Sequence, residues 1–270
     1  MLAAVTRKPS PRLSACELTH LPRQPIDFAK ALAQHAAYQA ALAANAASLI
    51  LLPADPRHPD SVFVEDPAVV VDEVAVIARP GPESRRGETT ALAEALAPFR
   101  ELRFLQAPAT LEGGDVLRMG KTLYVGSSAR TNPAGIAQFA ALLSPFGYRI
   151  VPVELRDCLH LKSACSHLGH DLALANRAWF DAGTLQQCEI LDVPPGEPWG
   201  ANVLRIGETV LVPASAPRTA ELIESRGVRV RTIDISEFQK AEGGLTCMCI
   251  VFDATRATPT SSASPFEPNP

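Results

Sequence analysis

The stretch DVLRMGKTLYVGSSARTNPAG, beginning at Asp115, returns from Asn202 as NVLRIGETVLVPASAPRTAEL. Both copies read as a strand, a Gly-led two-residue turn, a second strand, a small-residue loop, Arg-Thr and a helix. Gly at the first central position suits a hairpin turn whose backbone most residues avoid. An Ala/Leu-rich helical run and a further strand follow each copy: IAQFAALLSPFG then YRIVPVEL, and TAELIESRG then VRVRTIDI. Residues 65–99 make a third copy, with its turn at Asp72-Glu73, and HLKSACSHLGHDLALAN supplies a fourth hairpin. A fifth is split between the termini, LTCMCIVF pairing with AAVTR before the helix FAKALAQHAAYQAALAANA and the strand SLILLP. One such unit cannot bury its apolar faces alone, whereas repeats stacked in a closed ring bury one another's. The expected fold is therefore α/β: a five-bladed propeller of ββαβ units with pseudo-fivefold symmetry. It should occupy residues 1–254 as a single domain, followed by a disordered Pro/Ser-rich tail, TRATPTSSASPFEPNP, over 255–270.

Composition narrows the partners. A net charge of -4 without any Lys/Arg run argues against a nucleic-acid surface. The most apolar stretch, AALAANAASLILLP, is too short to cross a bilayer. The N-terminal MLAAVTRKPSPRL has no signal-peptide core. The expectation is a soluble, cytoplasmic protein with a small-molecule partner, no nucleic acid and no membrane; no pattern sets an oligomeric state. Six scattered cysteines with no CxxC argue against a disulfide framework or structural zinc, so no metal and no cofactor are implied.

Reactive residue types recur at one phase of the repeat. Asp66, Glu112, His160, Asn202 and Cys247 stand near the first strand of successive units, 42 to 48 residues apart. In a ring of equivalent units such positions converge on the axis, bringing a thiol, an imidazole and two carboxylates to one cavity. Arg85 and Arg130, 45 residues apart, each sit in the loop before a helix and share a rim. Arg218 has the same phase, so phase alone does not assign a role. GGLTCMC, residues 243–249, leaves open half a metal site, a redox couple, or a nucleophile beside a bystander. On strand alternation, Cys249 shares a face with Cys247.

Six segments carry a resemblance: PDSVFVEDP (59–67), ESRRGE (83–88), TLEGGD (110–115), SARTN (128–132), LHLKS (159–163) and GGLTC (243–247). In order and in register, they resemble the dimethylarginine dimethylaminohydrolases over about residues 18–252. The resemblance implies a five-bladed α/β propeller and hydrolysis of N-methylated arginines to citrulline and a methylamine through a covalent cysteine intermediate. It implies Cys247 as nucleophile, His160 as general acid/base and Glu112 as the third catalytic residue. It also implies Asp66 on the substrate guanidinium, Asp60 at the α-amino end, Phe63 on the wall, and Glu65 facing the same pocket. Arg85 and Arg130 would grip the α-carboxylate, while the main chain of Leu18, in a mobile lid, and of Ala241 would touch substrate. Close bacterial relatives carry glycine in that lid where Glu17 stands here. Two rivals remain. An arginine deiminase-type hydrolase would use the same groups on arginine or another N-substituted arginine, but such enzymes usually carry a helical insertion for which this chain has no room. A non-catalytic thiol- or metal-binding module would have no use for Asp66, Arg85 and Arg130.

Overall fold

The computed structural model describes residues 1–46, 48–186 and 188–255. The described residues form five three-stranded sheets, each built the same way. The first sheet to close within the chain has β3 (Ala68–Val70) antiparallel to β4 (Val74–Ile77), then helix α2 (Thr89–Leu96), then β5 (Glu101–Phe104) parallel to β4. The second repeats this with β6 (Val116–Met119), β7 (Thr122–Ser127), α3 (Pro133–Leu143) and β8 (Arg149–Glu154). In the fourth, β12 (Leu204–Ile206), β13 (Thr209–Pro213), α5 (Pro217–Glu224) and β14 (Arg229–Ile233) follow the same order. The third, β9 (Cys165–Gly169), β10 (Leu172–Ala175) and β11 (Glu189–Asp192), replaces the helix by a single 3-10 turn at Ala182–Thr184.

The ends of the described chain make the fifth blade. β15 (Ile250–Asp253) pairs antiparallel with β1 (Leu2–Arg7), Val5 opposite Ile250, and β1 runs parallel to β2 (Ser48–Leu52) across α1 (Phe28–Asn45). The chain is thus a five-bladed α/β propeller, joined head to tail by its first and last strands. Helix α1 starts at Asp27, whose carboxylate caps Lys30 N, and buries Ala31, Gln34, His35, Tyr38, Ala41 and Leu42, the three-and-four spacing of one helical face. Each large apolar side chain on such a face contributes about 1.5–3 kcal/mol by leaving water. The parallel connection in the four helix-bearing blades needs that burial to hold its helix. Gly120 and Gly207 turn the second and fourth hairpins with φ of 60° and 58°.

The inner strands β3, β6, β9, β12 and β15 surround an axial cavity of about 600 Å³. The loops that enter them carry Asp66, Glu112, His160, Asn202 and Cys247, so the equal phase seen in the repeat is realised around the axis. The expected tail lies, from residue 256 onward, outside the described residues. Among the described residues, no helix is long and apolar enough to cross a membrane.

Candidate active site

Glu112 ends an extended approach and is followed at once by a 3-10 turn, Gly113–Asp115, that drops into β6. Both glycines are dictated by crowding. A Cβ on Gly113 would meet Glu65 O at 2.1 Å, and one on Gly114 would meet His160 Nδ1 at 2.5 Å and Asp66 Oδ1 at 2.8 Å. The backbone passes so close to the imidazole that only hydrogen fits. Glu112 Oε2 thereby reaches 2.8 Å from His160 Nε2, while His160 Nδ1 lies 3.9 Å from Asp66 Oδ1. His160, Glu112 and Asp66 are all buried. Burial opposes a charge on His160, but Asp66, Asp115 and the Glu112 hydrogen bond outweigh it and raise the imidazole to about 9. Asp66 is held below its usual range: burial works against ionisation, and His160 and Arg85 overcome it.

Cys247 lies in the turn that precedes β15, with Gly244 N–H donating to Sγ at 3.3 Å. Burial, then Glu65 and Asp66, push its thiol well above the usual range; the Gly244 N–H and Lys162 pull the other way. Here the structure corrects the strand-face expectation. Cys249 N bonds back to Thr246 O at 3.2 Å, so residues 246–249 turn instead of alternating. Cys247 lines the pocket with His160, and Cys249 lines the axial cavity on the other side.

The pocket between these groups is lined by Asp60, Phe63, Asp66, Arg85, Arg130, Leu159, His160, Ala241, Glu242, Gly243 and Cys247, and by Glu17 from its cover. The enclosed space is about 20 Å³, room for about one water and far less than an arginine. The cover is the irregular segment 16–26. Glu17 N donates to both Asp60 oxygens (3.2 and 3.1 Å), and Leu18 packs on the cluster containing Phe63, Ala241 and Cys247.

The two arginines reach the same pocket in different states. Arg85 is fully engaged: Nη1 is 2.7 Å from Asp66 Oδ2, Nε and Nη2 fork onto Glu88 at 3.1 and 2.9 Å, and Nη2 also meets Phe63 O. Arg130 is looser, with Nη2 on the Thr19 hydroxyl at 3.0 Å and Nη1 3.5 Å from Glu112 Oε1. Arg218 lies within α5, bonded to Pro195 O and Glu197, away from the pocket.

Glu65 is turned from its neighbour Asp66. Its carboxylate takes Lys162 Nζ and the Thr246 hydroxyl at 2.5 and 2.8 Å, and it lines the axial cavity instead of the covered pocket. Asn202 clasps Thr246 from both sides, accepting from N and donating to Oγ1, each at 3.1 Å. The pair Glu65–Lys162, braced by Asn202 and Thr246, forms the floor beneath Cys247.

Sequence reasoning missed Asp115. It is fully buried and accepts from Ser128 Oγ and Thr131 Oγ1, both at 2.6 Å, and from Leu161 N at 3.0 Å. One carboxylate therefore ties the Arg130 loop to the His160 loop. Its signal was the last letter of TLEGGD, a carboxylate entering an apolar strand. Asp66, Glu112 and His160 also bring three ligand atoms within 4.8 Å, a spacing a metal ion could use. Arg85 and Arg130 already supply cationic charge to those carboxylates.

Comparison with known proteins places this arrangement. Residues 22–183 match the family model described as N,N dimethylarginine dimethylhydrolase, eukaryotic. The N(G),N(G)-dimethylarginine dimethylaminohydrolase of Streptomyces coelicolor is 44% identical over 250 residues, 92% of this chain and 95% of that protein. The solved Pseudomonas aeruginosa enzyme, a cysteine-to-serine mutant complexed with citrulline, superposes with a TM-score of 0.89 at 39% identity, covering 93% of this chain and 98% of that one. A dimethylarginine dimethylaminohydrolase histidine-to-glycine variant, as an adduct with S-methyl-L-thiocitrulline, gives 0.88 at 39%, covering 93% and 99%. The chain belongs to the dimethylarginine dimethylaminohydrolase family.

Proposed function

We propose that the protein hydrolyses N-methylated arginines to citrulline and a methylamine, with Cys247 as nucleophile. The observation that carries this reading is that a single covered pocket has groups suited to both ends of an arginine. Cys247, Asp66 and His160, backed by Glu112, line it together with Asp60 and Arg130, which also bond to the cover.

Asp66 takes the guanidinium, whose positive charge offsets the burial and the two carboxylates that hold the thiol protonated, so substrate entry favours loss of the Cys247 proton to solvent. The thiolate attacks the guanidinium carbon, forming a C–S bond. The C–N bond to the methylated nitrogen breaks, and the leaving amine takes a proton from His160, which starts as the imidazolium. Now neutral, His160 takes a proton from water as it attacks the thiouronium carbon. The C–S bond breaks, the hydroxyl proton of the adduct passes to sulfur, and citrulline leaves with Cys247 restored as the thiol. Glu112 orients the imidazole and stabilises its charge. Asp60 receives the α-ammonium and Arg130 the α-carboxylate. Arg85, expected beside Arg130 on the α-carboxylate, is instead bonded to Asp66 and Glu88, so it holds Asp66 in place, and Glu65 acts from the floor. Phe63 walls the site, and the Leu18 and Ala241 main chains close on the substrate.

Catalysis is assigned to residues 1–254 as one unit. The six free cysteines agree with a cytoplasmic setting. The clamps are common to arginine and its methylated forms, so preference comes from the niche beside Phe63, where one methyl group is worth about 1–3 kcal/mol. Comparing kcat/KM for arginine, monomethylarginine and asymmetric dimethylarginine tests the reading. The methylated substrates should lead, and an advantage of tenfold or more for arginine would replace it with the deiminase alternative.

A further inference from the structure

The cover over the pocket is held at its tip by three side chains from the body of the protein. Asp60 accepts from Glu17 N, Arg130 donates to the Thr19 hydroxyl, and Glu242 accepts from three consecutive backbone N–H groups. Those donors are Thr19 at 2.9 Å and His20 and Leu21, each at 2.5 Å. The three clasps are not equivalent. The proposed substrate brings an ammonium for Asp60 and a carboxylate for Arg130, so a bound amino acid competes with the cover for both. Glu242 is assigned to neither end of the substrate, and it holds three amides where Asp60 holds one, so its bonds to the cover need not be given up on binding. An exposed Glu17–Ser84 bond adds a fourth tie at 2.6 Å, beyond the reach of the substrate clamps.

The backbone of Glu242 makes the same point independently. Its φ is +58°, the left-handed region that favours glycine, and it is one of only three non-glycine residues so placed among the described residues. Gly243 and Gly244 follow directly, yet position 242 carries glutamate. No ion pair forms at Glu242 among the described residues, and its charge is met by the row of N–H groups, a concave array that suits an anion. A conformation with an inherent cost, retained beside a site, points to a use for the side chain that imposes it. Glu242 also lies between Ala241, whose main chain is expected on the substrate, and the glycines leading to Cys247.

We infer that Glu242 is the latch that keeps the cover shut over bound substrate once Asp60 and Arg130 have transferred their bonds to it. Glu242 is a positioning residue: it touches the cover and leaves the reacting atoms alone. The inference rests on the substrate reading above, and hydrogen exchange at the cover tests it without reference to turnover.

The test compares wild type with Glu242→Gln, which keeps shape and backbone preference but loses the charge, and Glu242→Gly, which also relieves the left-handed backbone and so should fold. Amide exchange across residues 16–26 is followed with and without saturating citrulline. In wild type, the amides of 19–21 should stay protected with citrulline bound while that of Glu17 exchanges faster. In the variants, protection at 19–21 should fall about tenfold, more for Gly than for Gln. KM for asymmetric dimethylarginine should rise about tenfold, with kcat within about threefold, since the latch acts on retention and not on the bond-breaking step. Unchanged protection of 19–21 and unchanged KM in Glu242→Gly would overturn the latch. So would loss of 19–21 protection in wild type when citrulline binds. If no methylarginine is turned over but the exchange pattern holds, the latch stands and the substrate reading fails.

Discussion

His160 Nε2 and Glu112 Oε2 lie 2.8 Å apart in a buried site, and the imidazole there is raised to about 9. The folded state therefore prefers the imidazolium. A group raised in this way contributes stability in full below its unfolded value, about 6.5, and loses it as pH climbs through the folded value. The melting temperature of wild type relative to His160→Asn should fall by a few degrees between pH 6.5 and 9.5. A difference between the two proteins that stays flat over this range would mean that the imidazole is neutral in the folded state.

Asp115→Asn should disturb catalysis from outside the pocket. One carboxylate now accepts from Ser128, Thr131 and Leu161, and an amide cannot accept all three without facing donor to donor. The expected cost is about 1–3 kcal/mol of stability, together with a loss of kcat/KM because the Arg130 and His160 loops lose their shared anchor. Urea unfolding and kinetics on the same preparation check both.

The contrast between Asp115 and the repeat marks how far the chain is legible. VLRMGKT and VLRIGET announce hairpins because alternation and a Gly turn are local, and five of them leave a ring as the way to bury every face. Phase then brings Glu112, His160 and Cys247 together without any knowledge of distances. What stays hidden is set by contact. Strand alternation was assumed through Cys247 and Cys249, but a turn closed by Thr246 sends them to opposite cavities. Neighbouring Glu65 and Asp66 likewise part company, one to Lys162 and one to Arg85. Glu242 carries no mark in the sequence, and only the fold brings three amides of residues 19–21 against it.

Arg85 and Arg130 should separate when each is replaced by alanine. Removing Arg85 leaves Asp66 and Glu88 buried without their cation, a loss of about 3–5 kcal/mol that should show as a lowered melting temperature and poor yield. Removing Arg130 breaks a bond to Thr19 and a long contact to Glu112, so KM should rise tenfold or more with the fold intact. Equal effects on stability would show that the two arginines are engaged alike.

Gly114→Ala is the sharpest test of the packing around the imidazole. The added methyl group would stand 2.5 Å from His160 Nδ1 and 2.8 Å from Asp66 Oδ1, so one of them must move. A displacement of about 1 Å at a catalytic group costs about a hundredfold in rate. kcat should fall on that scale while far-ultraviolet circular dichroism stays that of wild type. A variant with full activity would mean that His160 has freedom the buried site does not suggest.

The central claim is that Cys247 forms a covalent bond to the guanidinium carbon. Acid-quenching a reaction with carbon-labelled asymmetric dimethylarginine within the first turnover, digesting the protein and sequencing the labelled peptide by mass spectrometry reads that bond directly. Cys247 and Cys249 share a peptide, so fragmentation must place the adduct between them. The account predicts label on Cys247 alone, none in Cys247→Ser, and wild-type labelling in Cys249→Ser. Label on Cys249, or citrulline formation at the wild-type rate by Cys247→Ser, would contradict it.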